Sequence, residues 1–348
     1  MYSVPLNRRT FAAATALSAT SLVVPKIWAQ SRLEKTKISI AVGGKASFYY
    51  LPLTIADQLG YFKAEGLDVV ISDFADGPKA LQAVVGGSAD VVSGAFVHTI
   101  SLQSSGQKFQ AFVLQGRAPA ISMGISSKTM PQYQSVADLK GKKIGISAPG
   151  TTTNMMANLI LSRAGLKPGD VSFMGVGTAA GALFSLRSGQ IDALSNVDPV
   201  MTMLEQKGEI RIIADTRTLK GTHDVFGGSM PAGCLYAPVE FIQKYPNTVQ
   251  ALTNAIVHSL KWLQTAGPSD ILKTVPDAYL LGDRALYLAA FNKVREAISP
   301  DGMMNEEGPR TALKVLASFD TSVKVEKIVI ASTYVNDFAK KAKEQFNA

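Results

Sequence analysis

A chain of 348 residues, 47% apolar and carrying a formal charge of +8, is long enough for about two domains and apolar enough to give each a core. The positive excess is spread along the chain rather than gathered into blocks, which argues against nucleic acid as a partner. The single cysteine, Cys234, excludes an internal disulfide and a thiolate metal cluster.

Residues 1–29 read as an export address. Asn7-Arg8-Arg9-Thr10-Phe11 has the form of a twin-arginine start, small and apolar residues run to Val24, and Pro25-Lys26-Ile27-Trp28-Ala29 approaches a cleavage site. The apolar run is too short and too mild for a permanent membrane span. Cys234 lies far from the cleavage point, which argues against a lipid anchor. The expectation is a soluble, monomeric protein exported to the periplasm.

Beyond that segment, residues 37–42 alternate as a first strand, and residues 51–65 read as a helix stopped by Gly66. Strand 67–72, helix 78–85, strand 89–92 and helix 97–104 follow. Residues 110–114 and 122–125 flank Pro119 and carry the chain onward. The pattern then restarts: strand 143–146, helix 152–164, strand 171–176, helix 179–187, strand 191–195, a helix around 199–207 and strand 210–214. Residues 229–236 cross back, and six helices fill the segment 238–346.

The restart is a duplication. Residues 80–93 and 182–195 align without a gap, with Ala, Leu, Gly, Asp and Ser coinciding at five positions. A period this long is a whole lobe built twice, not a solenoid unit. Alternating strands and helices require a mostly parallel, doubly wound α/β sheet in each lobe. The expected domains are residues 36–117 with 232–348 and residues 118–231, two similar lobes around a central cleft, plus C-terminal helices. A cleft between lobes is where a small molecule binds, and two crossings make a hinge that can close around it.

Four strings carry a family resemblance. Leu59-Gly60-Tyr61-Phe62-Lys63-Ala64-Glu65-Gly66-Leu67-Asp68-Val69 is the first, and Asp138-Leu139-Lys140-Gly141-Lys142-Lys143-Ile144-Gly145 with Pro149-Gly150-Thr151 is the second. Gly189-Gln190-Ile191-Asp192-Ala193 running to Asp198-Pro199 is the third. The fourth runs from Glu240-Phe241-Ile242 to Tyr245-Pro246-Asn247-Thr248-Val249-Gln250-Ala251. In that order they resemble the nitrate/sulfonate/taurine-type substrate-binding proteins of ABC transporters. The resemblance implies a type II periplasmic binding fold that captures a solute and delivers it to the membrane subunits of an ABC permease.

Ligands of open α/β sheets sit at the carboxyl ends of the strands. Thr151, Thr152 and Thr153 open a helix whose first amides would attract an oxyanion, and the resemblance places an anion-contacting loop there. Ser47, Phe48 and Tyr49 follow the first strand, where aromatic rings can wall off a ligand or pack beneath the helix. Gly94, Ala95 and His98 follow the third strand, Asn196 stands at the matching point of the second copy, and Ser229 lies at the return crossing. Asp198 reads as the cap of the next helix.

Catalytic readings fail. Gly175-Val176-Gly177-Thr178-Ala179-Ala180-Gly181 is one residue too long for a dinucleotide fingerprint, Gly145-Ile146-Ser147-Ala148-Pro149 has proline where a nucleophile elbow needs glycine, and the three histidines lack metal spacing. No enzyme activity, cofactor or metal is expected. A small anion is the expected ligand. Two alternatives share the fold: a protein that binds or makes a thiamine-pyrimidine precursor, and a solute sensor acting through a separate receptor.

Overall fold

The computed structural model describes Tyr2, residues 32–320 and residues 322–348. The export address at residues 1–29 lies outside the described residues, Tyr2 apart. Residues 33–348 form one compact unit.

Ten strands make two five-stranded sheets. The first contains β1 (Lys37–Gly43), β2 (Asp68–Phe74), β3 (Val91–Ala95) and β4 (Phe109–Leu114). The second contains β5 (Ile121–Ser126), β6 (Lys143–Ile146), β7 (Ser172–Gly175), β8 (Ala193–Val197) and β9 (Ile210–Asp215). The last strand, β10 (Gly233–Pro238), returns to the first sheet. The spatial orders are β2-β1-β3-β10-β4 and β7-β6-β8-β5-β9. The duplicated sequence therefore maps onto the same order twice, with β1, β2 and β3 corresponding to β6, β7 and β8.

Four strands of each sheet run the same way, as expected, and one runs against them, so each sheet is mixed by a single reversed strand. β1 pairs parallel with β2 and β3, but β10 runs antiparallel to both β3 and β4. β5 does the same between β8 and β9. Each antiparallel strand is the one that follows a crossing, so the chain enters each sheet from the other's side. Alternating strand and helix patterns are blind to this, because they do not show that the chain has changed sheets before the strand.

The two crossings lie side by side. The amides of Gln115 and Gly116 both donate to the Gly233 carbonyl (2.7 and 3.1 Å), and Ala232 N–H donates to Gly116 O at 2.9 Å. One apolar cluster is continuous past them, from Ile100 and Phe109 beside the first sheet to Ile144 and Met156 beside the second.

Helices depart from the sequence reading in two places. The run 51–65 is two helices, Leu51–Gln58 and Tyr61–Ala64, because Gly60 between them takes φ 72°. A helix at Leu219–Phe226 went unread between β9 and the return crossing. Its signals were local: Thr218 caps it by accepting from Gly221 N–H at 3.0 Å, and Gly227 ends it at φ 79°. No helix among the described residues is long and apolar enough to cross a membrane.

Candidate ligand-binding cleft

The carboxyl ends of β1, β2, β3, β6 and β7 converge between the sheets on a cavity of about 500 Å³, counting its opening to solvent. Ser47, Tyr49, Ala95, His98, Thr151, Thr152 and Thr153 line it, with Tyr50, whose ring belongs to the same aromatic loop, and with Asp76, Ser147 and Thr178, which the sequence reading did not single out as ligand contacts. Three helices start at its wall: Gly77–Val85, Val97–Ser104 and Thr152–Arg163. Each start turns the positive end of a helix dipole to the wall, but at Gly77–Val85 Pro78 has no N–H and Asp76 takes that of Lys79, and in Val97–Ser104 the Thr99 N–H donates to Phe96 O, so these two offer fewer donors than the usual first turn.

The polar wall is largely self-organised. The hydroxyls of Ser147, Thr151 and Thr153 form a triangle with sides of 2.8 to 3.0 Å. Thr151 donates to the Ala148 carbonyl at 2.7 Å, and Thr153 Oγ1 accepts Ser147 N–H at 3.0 Å. That leaves Thr152, whose hydroxyl lies 3.4 Å from the Tyr49 hydroxyl across the cleft. Burial pushes the Tyr49 phenol far above its ordinary range, so it is a neutral donor. Asp76 turns its carboxylate back to cap its own helix, accepting Lys79 N–H at 2.8 Å. No lysine or arginine among the described residues lines the cavity.

His98 sits at the wall with its ring almost wholly buried. Its Nδ1 is 2.9 Å from the Tyr236 hydroxyl. Burial drives the imidazole down to about 4, with the Gly150 backbone opposing. The ring is therefore neutral at physiological pH and contributes a dipole rather than a charge. With the folded value depressed, the unfolded chain binds the extra proton between pH 6.5 and about 4. Stability from this site is full above pH 6.5 and declines as pH falls through that window, by up to ~3 kcal/mol. His98→Gln is expected to flatten the stability-against-pH curve from denaturant unfolding between pH 4 and 6.5. An unchanged slope there contradicts the assignment.

Four of the residues picked from sequence stand elsewhere. Phe48 turns away into an apolar cluster, its ring 4.6 Å from Tyr287 and 6.2 Å from Phe291. Gly94 lies beneath Tyr236, where a Cβ would meet the ring and hydroxyl at 2.9 Å, so its small size serves the Tyr236–His98 pair. The Asn196 amide is spent behind the wall, donating to Gly177 O and accepting Val197 N–H, each at 2.9 Å. Ser229 donates to Glu307 Oε2 at 2.6 Å. Alternation and strand-end position mark which loop reaches the cleft but not which side chains within it turn inward. Asp198 caps the next helix as read, accepting Thr202 N–H at 2.7 Å.

Two mixed α/β sheets with a helix-rimmed cavity between their strand ends define the class: the periplasmic binding protein fold. The chain belongs to the NMT1/THI5-like family, whose profile matches residues 47–268. A solved structure from Bordetella bronchiseptica RB50 is 59% identical and superposes with a TM-score of 0.89 over 91% of this chain and 100% of that one. The alkanesulfonate-binding protein SsuA from Xanthomonas axonopodis pv. citri, bound to MOPS, is 18% identical, with a TM-score of 0.66 over 88% and 100% of the two chains. The periplasmic nitrate-binding protein NrtA from Synechocystis PCC 6803 is 14% identical, with a TM-score of 0.66 over 90% and 89%. The resemblance read from the four strings holds at the level of a family of substrate-binding proteins.

Proposed function

We propose that this chain is the extracytoplasmic solute-binding component of an ABC importer, exported by its twin-arginine start and acting as a monomer. It captures a small anion of the sulfonate, nitrate, taurine or carboxylate class between lobes formed by residues 36–117 with 232–348 and residues 118–231. The observation that carries the anion is the convergence of three helix starts on one cavity. Helix starts hold an oxyanion with neutral N–H donors, without a guanidinium clamp.

A thermal-shift screen followed by titration calorimetry tests this, since a ligand at 100 times its Kd adds about 2.7 kcal/mol to stability. In Thr152→Pro two donors disappear at the first position of its helix, the amide N–H and the hydroxyl that faces Tyr49. Thr151 before it is already extended, at φ −87° and ψ 168°, the geometry a following proline needs. The fold should hold while affinity for the anion drops by about tenfold or more, as for one to two charge-assisted hydrogen bonds. Unchanged affinity moves the anion elsewhere.

A second reading, a thiamine-pyrimidine precursor, gains from one observation: the carboxylate of Asp76 borders the cavity, met by Lys79 through its N–H at 2.8 Å and its Nζ at 3.8 Å, and an amino-substituted ring would suit its remaining lone pairs. Stabilisation by aminopyrimidines and not by sulfonates or carboxylates decides for it. In either case the lobes close about residues 117–121 and 229–235. Solution scattering should show a smaller radius of gyration with saturating ligand, and identical profiles reject closure.

A further inference from the structure

His98 stands between two cavities. It borders the inner chamber described above and a second, outer one of about 1250 Å³, counting its opening to solvent. It belongs to the first sheet's side of the molecule, in the first turn of the helix after β3. Opposite it, on the loop between β6 and the Thr152–Arg163 helix of the second sheet, lies Gly150. The imidazole meets the Gly150 backbone, so the two form a partition between the chambers. A second contact across the cleft lies beside it, where the Tyr49 and Thr152 hydroxyls are 3.4 Å apart.

Valence assigns the hydrogens of this partition. The Gly150 N–H is already spent on Asn154 Oδ1 at 3.1 Å, which leaves the carbonyl for the ring. A carbonyl only accepts, so the ring nitrogen that meets it carries hydrogen. Nδ1 is taken by the Tyr236 hydroxyl at 2.9 Å, which makes that nitrogen Nε2. A neutral ring has a single N–H, hence Nδ1 holds a lone pair and Tyr236 O–H donates to it. Tyr236 is fully buried and Gly94 leaves it room, so this donor is fixed in place. The ionisable groups around the ring are Tyr236, Tyr49 and Tyr50, all kept neutral by burial, and the carboxylates of Asp76 and Asp320. Those two are bonded within their own turns, to Lys79 and Ser322, and neither is bonded to the ring.

Resting on the cleft reading above, we propose that His98 is the closing residue of the inner chamber: its neutral ring, held in the Nε2–H form by Tyr236, shuts the chamber over a bound solute by donating to the Gly150 carbonyl. Tyr236 does not line the chamber and acts through His98 as a positioning residue. The pH dependence then runs against simple charge attraction. A histidine that held an anion by its own charge would bind it tighter on acidification. Here burial disfavours the charged ring, at about 4 when the chamber is shut and nearer its ordinary range when the sheets part. Protons therefore compete with closure, and affinity for an anion falls as pH falls.

Calorimetry on the full chain with ethanesulfonate and with nitrate, both anions throughout, tests this between pH 7.5 and 5. Affinity should fall about tenfold over that range, within a linkage limit of ~30-fold. His98→Leu should lower affinity about tenfold at pH 7.5 and remove the fall. His98→Gln, whose amide nitrogen takes the place of Nε2, should regain most of that loss and stay level with pH. In the ligand-free wild type, imidazole nitrogen-15 shifts should place the His98 hydrogen on Nε2, and Tyr236→Phe should give a mixture of the two forms. Hydrogen on Nδ1 in the wild type overturns the inference. So does affinity that rises or stays level on acidification, or a fall that persists in His98→Gln, and each of these leaves the anion reading intact. Failure of both anions to bind sinks the anion reading, and the nitrogen shifts, which need no ligand, then decide this inference by themselves.

Discussion

Arg217→Met is expected to cost about 3–5 kcal/mol at neutral pH, the usual penalty for breaking a buried ion pair from one side. The Arg217 side chain is 4% exposed and holds three acids: Asp215 at 2.6 Å, Glu205 at 3.0 Å and Asp198 at 3.6 Å. Asp215 and Glu205 have solvent to fall back on, but the Asp198 side chain has none. Asp198 Oδ2 has no hydrogen bond, and burial raises the Asp198 carboxyl above its ordinary range even though Arg217 opposes the rise. With the cation gone that rise grows. A carboxyl whose folded value is raised binds its proton more tightly in the folded state, so its contribution is present at low pH and is lost as pH climbs past 3.8 toward the folded value. The deficit of the variant against wild type should therefore be larger at pH 8 than at pH 5. Denaturant unfolding at the two pH values measures it, and a deficit independent of pH removes Asp198 from the account. The loss should also reach the cleft, because the Asp198 carbonyl accepts Phe48 N–H at 3.2 Å and Glu205 meets Lys293 at 2.8 Å.

Gly43→Ala should destabilise the fold by about 3 kcal/mol, at the upper end for overpacking, and lower Tm by roughly 5–10 °C. A Cβ on Gly43 would lie 2.1 Å from the Asp76 carbonyl carbon and 2.3 Å from both Asp76 O and Gly77 N. All three are backbone atoms, so no rotamer change relieves the collision. The end of β1 and the start of the Gly77–Val85 helix would have to separate, and both border the cavity. Ligand affinity should fall with stability. As a control, Gly169→Ala, where a Cβ meets nothing within 4 Å, should leave both unchanged. Equal melting temperatures for Gly43→Ala and wild type would show that the helix start is free to shift.

Much of this molecule was legible in its residues. The period-two alternation of residues 37–42 is a local pattern, so β1 appears where it was placed, and the Val97–Ser104 helix lies where residues 97–104 were read as one. The repeat from Ala80 to Ser93 announced two sheets of one order, because a duplicated sequence buries the same faces twice. Gly150 before a run of threonines marked a helix start at the cleft, since the turn glycine at φ 77° and the extended Thr151 that follows it set that start locally.

What the tertiary structure decided was every choice made between distant segments. β5 and β10 insert backwards because each follows a crossing, and nothing within Ile121–Ser126 or Gly233–Pro238 encodes which neighbour it meets. Phe48 and Tyr49 are adjacent aromatics after one strand, yet Phe48 turns into a pocket built by Tyr287 and Phe291, more than two hundred residues away. His98 became a neutral part of the wall through burial, with its ring held by the Tyr236 hydroxyl. On the Thr152–Arg163 helix Asn158 is buried by the tertiary fold and its Oδ1 is left without a hydrogen-bond partner among the described residues. Side-chain direction and charge state are set by desolvation and packing across the whole chain, which no local pattern contains.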